Sequence, residues 1–255
     1  MSEKNKPGTQ ETFITHLVEL RTRVVRASIL FLAIFFILFG LWPGAASLYD
    51  LLAQPMISSL PEGTKMIATG VITPFMVPVK MTMMVAFVVS LPWILYQAWA
   101  FIAPGLYKHE KNLVAPLIIS STILFLIGIA FCYFFVFGTV FNFIYNFAPD
   151  SISVAPDIEN YLDFILTMCL AFGLTFEVPV LVIVLVKIDM ISVEKLKSAR
   201  PYVIVGAFII AAIVTPPDVM SQLFLAIPLC LLYEVGLVLA PAFRKSSNTT
   251  EEVNN

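Results

Sequence analysis

The sequence predicts an all-α integral membrane protein with six transmembrane helices, the last two short and both termini cytoplasmic. Three observations predict it. Only 13% of the 255 residues are charged and 59% are hydrophobic, whereas a soluble domain carries about 25% charged residues. Apolar runs recur at residues 24–42, 75–99, 113–137, 164–186, 202–214 and 219–240, and most are long enough to cross a bilayer core of ~30 Å. Six spans put 13 of the 15 Lys and Arg residues on one side, and the positive-inside rule makes that side the cytoplasm. The chain reads as one polytopic domain, residues 1–255, with flexible tails at 1–10 and 245–255.

The N-terminal stretch is polar, and Pro7-Gly8 lets a helix begin near Thr9. No small-residue cleavage site follows the first apolar run, so that run is expected to stay as an anchor. HLVELRTR, residues 16–23, leads into it. On a helix His16, Glu19 and Arg23 share one face, while Phe13, Leu17, Leu20 and Val24 form an apolar stripe. Glu19 is an acid among Arg21, Arg23 and Arg26. Its plainest role is an i,i+4 pair with Arg23, worth only ~0.2–0.5 kcal/mol.

Residues 44–74, interrupted by Pro55, Pro61, Gly63, Gly70 and Pro74, read as short amphipathic pieces at the membrane surface. The second span is expected to kink at Pro78 and Pro92. Lys80 inside it can snorkel from near the outer end. FIAPGLYKHEK, residues 101–111, makes a polar turn in which Glu110 is flanked by Lys108, His109 and Lys111. The third span follows, then an acidic loop at 148–163, then the fourth span with Glu177 inside it.

The fifth run, Tyr202–Val214, is about 20 Å of helix at ~1.5 Å per residue. We read it as a short span, with a re-entrant segment as the alternative. Thr215-Pro216-Pro217-Asp218 turns the chain into the sixth run, which holds Pro228 and Glu234 and stops at Pro241.

Cys132, Cys169 and Cys230 all lie in apolar runs, and His16 and His109 lie on different polar segments. Neither a disulfide framework nor a metal site follows from that spacing, and no cofactor or nucleic-acid partner is expected. Lipid is the obvious neighbour. Glu177 stands out because an acid at mid-bilayer costs ~2.5–3.5 kcal/mol on insertion scales, so such residues face the bundle interior and tend to function. The plainer alternative is a protonated Glu177 hydrogen-bonded to a neighbouring helix. Glu19 and Glu110 fall on the same predicted side, each in a basic setting. Two such carboxylates suit a ligand with two guanidinium groups, because Arg matches a carboxylate bidentately and Lys does not. Spacing alone does not show that the two acids meet.

HLVELRTRVVR, the MIAT…PF loop end, LYQAWAFIAPGLYKHEK, FGLTFEVPV, RPYVIVGAF and VTPPDVMSQ, in that order from about residue 11 to residue 241, resemble the TatC family, the signal-peptide receptor subunit of the twin-arginine protein translocase. The resemblance implies a core receptor that binds the twin-arginine signal peptide of folded precursors on the cytoplasmic side. It implies TatA and TatB as partners, a multi-copy complex, transport driven by the proton-motive force, and no enzyme chemistry. By motif match Glu19 and Glu110 hold the arginine pair. Arg21 and Arg23 belong to the N-terminal motif, and Phe101 and Lys108 to the loop motif. Glu177 matches the intramembrane polar position, and Pro55 and Asp218 match functional positions on the outer side. At Gly70 the chain departs from the family pattern, and no role carries over there. Two other classes compete: a proton-coupled small-solute transporter using Glu177, and a passive membrane scaffold. Spans of such unequal length do not form the repeated halves that a transporter of that kind shows.

Overall fold

The structure is a computed structural model that describes residues 9–41, 44, 67–102, 114–140, 157–215 and 218–243, with the backbone alone for residues 9–13. Among the described residues every regular element is a helix. By length and composition five are fit to cross a membrane: Ile14–Gly40, Thr73–Ile102, Val114–Val140, Ile158–Lys187 and Val219–Ala242. A shorter apolar helix spans Arg200–Val214. The chain divides into two compact units, residues 1–58 with 70–118, and residues 59–69 with 119–255.

The first unit contains α1 (Thr9–Gly40) packed against α2 (Thr73–Ile102). The helix does begin at Thr9, directly after Pro7-Gly8. At 32 residues α1 is ~48 Å long, more than the ~30 Å of a bilayer core. The HLVELRTR turns therefore continue the span as helix instead of ending it. Phe39 meets Phe75 edge-on with ring centroids 6.5 Å apart. The Trp93 indole N–H donates to the Arg26 carbonyl at 3.3 Å. Helix α2 runs unbroken through Pro78 and Pro92. It buries Thr82 and Ser90, whose hydroxyls bond back to the Pro78 and Phe87 carbonyls at 2.8 and 3.0 Å.

The second unit begins its helical part with α3 (Val114–Phe131), most of which belongs here, extended by a π-helical turn over Cys132–Val136. Then come α4 (Ile158–Phe176), α5 (Val178–Lys187), α6 (Val193–Ser198), α7 (Arg200–Val214) and α8 (Val219–Phe243). Helices α3 and α4 meet through small residues. A Cβ on Gly128 would lie 2.6 Å from the Phe172 carbonyl oxygen, and one on Gly173 would strike the Phe125 ring. Gly236 likewise lets α8 approach Pro179 and Val182 of α5. Val182, Val186, Val193, Leu196, Tyr233 and Leu237 form a buried cluster there. The Tyr233 hydroxyl is satisfied by the Leu196 carbonyl at 2.8 Å.

Three boundaries differ from the apolar runs. The last helix is not short: α8 has 25 residues and continues through Pro228 and Pro241. Of the last two helices only α7, with 15 residues or ~22 Å, is short. The fourth helix begins at Ile158, not Phe164, because Asp157 caps it, accepting from the Glu159 and Asn160 amides at 3.0 Å. It then breaks at Glu177, where Pro179 at the start of α5 withholds a backbone donor.

The same Asp157 carboxylate takes the Thr69 hydroxyl at 2.6 Å and the Thr69 amide at 3.0 Å. A bridge pairs Ile67 with Asp157, its Ile158 N–H donating to the Ile67 carbonyl at 2.9 Å. The Thr69 hydroxyl and the amides of Asn160, Thr69 and Glu159 hold the Asp157 pKa at about 2, below its ordinary 3.8.

Candidate functional site

Helix α1 places Glu19 and Arg23 one turn apart. Arg23 donates through Nε at 2.9 Å and Nη2 at 2.6 Å, both to Glu19 Oε1. The pair expected from i,i+4 spacing is thus formed. It uses only one carboxylate oxygen. Among the described residues Oε2 makes no hydrogen bond, and the Glu19 side chain stays 37% exposed. Arg21 is exposed. Among the described residues Glu19 therefore has one oxygen without a partner, on a partly exposed face, with the guanidinium of Arg23 on the other.

One turn before Glu19, the His16 ring stacks on Phe101 with centroids 4.3 Å apart and planes 22° apart. That contact brings the N-terminal motif to the C-terminal end of α2, where residues 101–111 begin. Glu110 and Lys108 lie outside the described residues, as does Pro55. Nine residues separate Phe101 from Glu110, and such a segment spans at most ~30 Å. Arg23 and Phe101 also line a groove of about 240 Å³ between α1 and α2.

The remaining acids belong to the second unit. Glu177 stands at the α4–α5 break, with φ −76° and ψ −16°. Both its carboxyl oxygens are buried without a well-formed hydrogen bond among the described residues. The Ser121 side chain interacts with it. Asp218 caps α8: its Oδ1 accepts from the Ser221 amide at 2.7 Å and its carbonyl from Gln222 at 3.3 Å. A plain capping role therefore stands beside the one the family pattern implies. Glu234 takes the Arg200 guanidinium at 2.6 Å, 34 residues away in sequence. Lys80 is half-buried.

Sequence reasoning passed over Gln97. It lies one α-helical turn before Phe101, is only 3% exposed, and its amide oxygen is buried without a donor among the described residues. A polar residue four before the motif's Phe101, within LYQAWAF, was the available signal.

Apolar helices of this length, with few charges, define a multi-pass helical membrane protein. A family model described as "TatC: Sec-independent protein translocase protein (TatC)" matches residues 15–228. The chain is 46% identical over 245 residues to a Sec-independent protein translocase protein TatC of Haemophilus influenzae, covering 96% of this chain and 94% of that one. It is 46% identical over 242 residues to the protein of the same name from Escherichia coli K12, covering 95% and 93%. A solved structure described as "Crystal Structure of Twin Arginine Translocase Receptor- TatC" superposes with a TM-score of 0.77 at 38% identity, covering 89% of this chain and 99% of that one. The chain belongs to the TatC family. It is accordingly a receptor component of the Sec-independent, twin-arginine translocase and not an enzyme, which replaces the solute-transporter reading.

Proposed function

We propose that Glu19 and Glu110 hold the two arginines of a twin-arginine signal peptide on the cytoplasmic side of the membrane. Glu19 Oε2 accepts one guanidinium while Arg23 keeps Oε1. Phe101, Lys108 and Arg21 shape the surrounding surface, and Arg21 and Arg23 also fix the helix at the headgroups. The chain works as a single domain of six spans with both termini cytoplasmic in the inner membrane, α7 being one short span. TatA and TatB join it in a multi-copy complex that moves folded precursors at the expense of the proton-motive force. Glu177 lets the signal peptide insert more deeply or anchors a partner helix, and Pro55 and Asp218 act on the outer side.

The observation that supports this reading best is the His16–Phe101 stack. It sets the Glu19 face beside the start of the segment that carries Glu110. An exposed ion pair is worth only ~0–1 kcal/mol, so two carboxylates need adjacent apolar surface to hold a peptide, and the α1–α2 groove supplies it. The test is site-specific crosslinking of a twin-arginine signal peptide to photoreactive residues placed next to Glu19 and Glu110. The reading predicts crosslinks from the residues flanking the arginines to both places. Crosslinks confined to the second unit would contradict it.

A further inference from the structure

We propose that Arg26 and Trp93 form a binding site for an anionic phospholipid on the α1–α2 pair: the guanidinium takes the lipid phosphate, and the indole, backed by the Tyr96 ring, walls the top of the acyl chains. In the orientation proposed above this lipid belongs to the cytoplasmic leaflet.

Arg26 interrupts the apolar run of α1. It stands two residues after Val24, where that run begins, and ~10 Å along the helix from Glu19. The seven-residue spacing puts Glu19 and Arg26 on one face. Arg23 between them is taken by Glu19. Arg26 is exposed, and among the described residues its guanidinium makes no ion pair. The apolar window of α1 has no buried residue, so that surface is open to lipid. A charge at the edge of hydrocarbon needs a counter-ion. The anion that a bilayer supplies at that depth is a lipid phosphodiester. An Arg side chain keeps its stem on apolar surface while its head reaches the headgroups, and its planar fork matches a phosphate bidentately.

Trp93 supplies the other half of the site. Its indole N–H donates to the Arg26 carbonyl at 3.3 Å, which holds the ring at the depth of Arg26. The ring is 39% exposed and stacks on Tyr96, with centroids 5.4 Å apart and planes 26° apart. Aromatic rings beside a basic side chain are the composition of a membrane–water interface. An acidic side chain on a partner helix is the competing occupant. It would have to carry its own charge to the edge of hydrocarbon, whereas a lipid already holds its phosphate there. An anionic lipid is favoured over phosphatidylcholine, whose phosphate is balanced by its own ammonium.

The test uses the full-length protein in nanodiscs of phosphatidylcholine mixed with phosphatidylglycerol. One of the two lipids is brominated near the top of an acyl chain, so that it quenches an adjacent indole. Trp42→Phe and Trp99→Phe leave Trp93 as the reporter. Quenching should show phosphatidylglycerol favoured beside Trp93 by about three- to tenfold, and Arg26→Gln should bring that preference close to one. Arg21→Gln removes an equal charge from the same helix, five residues and ~140° around the axis from Arg26, and should leave the preference nearly unchanged. Equal losses in the two variants would mean that the charge of the helix end attracts the lipid without a site, which overturns the proposal. Absence of any preference before Arg26 is changed also overturns it, and leaves Arg26 to an acidic partner. Inorganic phosphate, added at constant ionic strength, should not lower the preference; if it does, free phosphate is the ligand and the lipid site is refuted. Native mass spectrometry of the unsubstituted chain covers the case in which these variants do not fold. Retention of phosphatidylglycerol over phosphatidylcholine is expected there, and equal retention overturns the proposal.

Discussion

Glu19 and Glu177 are both acids within helices of an apolar chain, and their surroundings are opposite. Glu19 sits on α1, a helix with no buried residue along its apolar window. It is partly exposed, and Arg23 one turn away covers one of its oxygens at 2.6 Å. Glu177 sits at a helix break in the second unit, its oxygens buried and poorly bonded, beside helices that touch through glycine. The first unit is a helix pair with an accessible charged face and a groove. The second is close-packed. An accessible, half-satisfied carboxylate is ready to bind with little rearrangement. A buried, unsatisfied one lowers stability and persists where function needs it.

Close packing in the second unit is the easiest half of this comparison to break. Gly128→Ala drives a Cβ against the Phe172 carbonyl oxygen. The expected loss is about 1–3 kcal/mol, against a gain of ~1 kcal/mol from helix propensity alone. Gly40→Ala in α1 meets nothing within 4 Å and should be neutral or stabilising by under ~1 kcal/mol. Thermal unfolding in one detergent measures both, and equal effects would remove the distinction.

Glu177→Leu should raise the unfolding temperature, because it deletes two buried and poorly bonded oxygens, each carrying a penalty of ~1–3 kcal/mol. Transport of a twin-arginine reporter should fall at the same time. Glu19→Ala should instead leave stability within ~1 kcal/mol and abolish peptide binding. Glu234→Gln breaks the Arg200 pair, whose side chains are 45% and 44% exposed, and should cost less than ~1 kcal/mol.

The smallest effect concerns Asp157. Its folded pKa of about 2 lies below the ordinary 3.8. The stabilisation it provides is complete above that ordinary value and is lost as pH falls toward 2. The protection of the Thr69 and Asn160 amides, taken relative to intrinsic exchange at each pH, should fall across that window, and Asp157→Asn should remove that change.

Much of this was legible in local pattern. Pro7-Gly8 marked the start of α1, and i,i+4 spacing gave the Glu19–Arg23 pair. The run between Arg200 and Thr215 was short enough to mark α7, and Pro179 foretold disorder in the hydrogen bonding near Glu177. What escaped depends on contacts far apart in sequence. Asp157 reaches Thr69 across 88 residues, so the capped start of α4 was hidden in an acidic loop. Arg200 finds Glu234 only once α7 and α8 pack. Pro228 suggested a broken helix, yet α8 runs on through it, buried on one side by neighbours such as α5. Gln97 looked like one polar residue in an apolar run, because burial and the lack of a donor are properties of the groove and not of the string.

The most direct test of the central claim is the ratio of affinities for two peptides, identical except for Arg-Arg or Lys-Lys, measured on wild type and on Glu19→Gln. Recognition of a guanidinium by Glu19 predicts a strong preference for the arginine pair in wild type and a ratio near one in the variant. Equal binding of the two peptides by the wild-type protein, or an undiminished preference in Glu19→Gln, would contradict it.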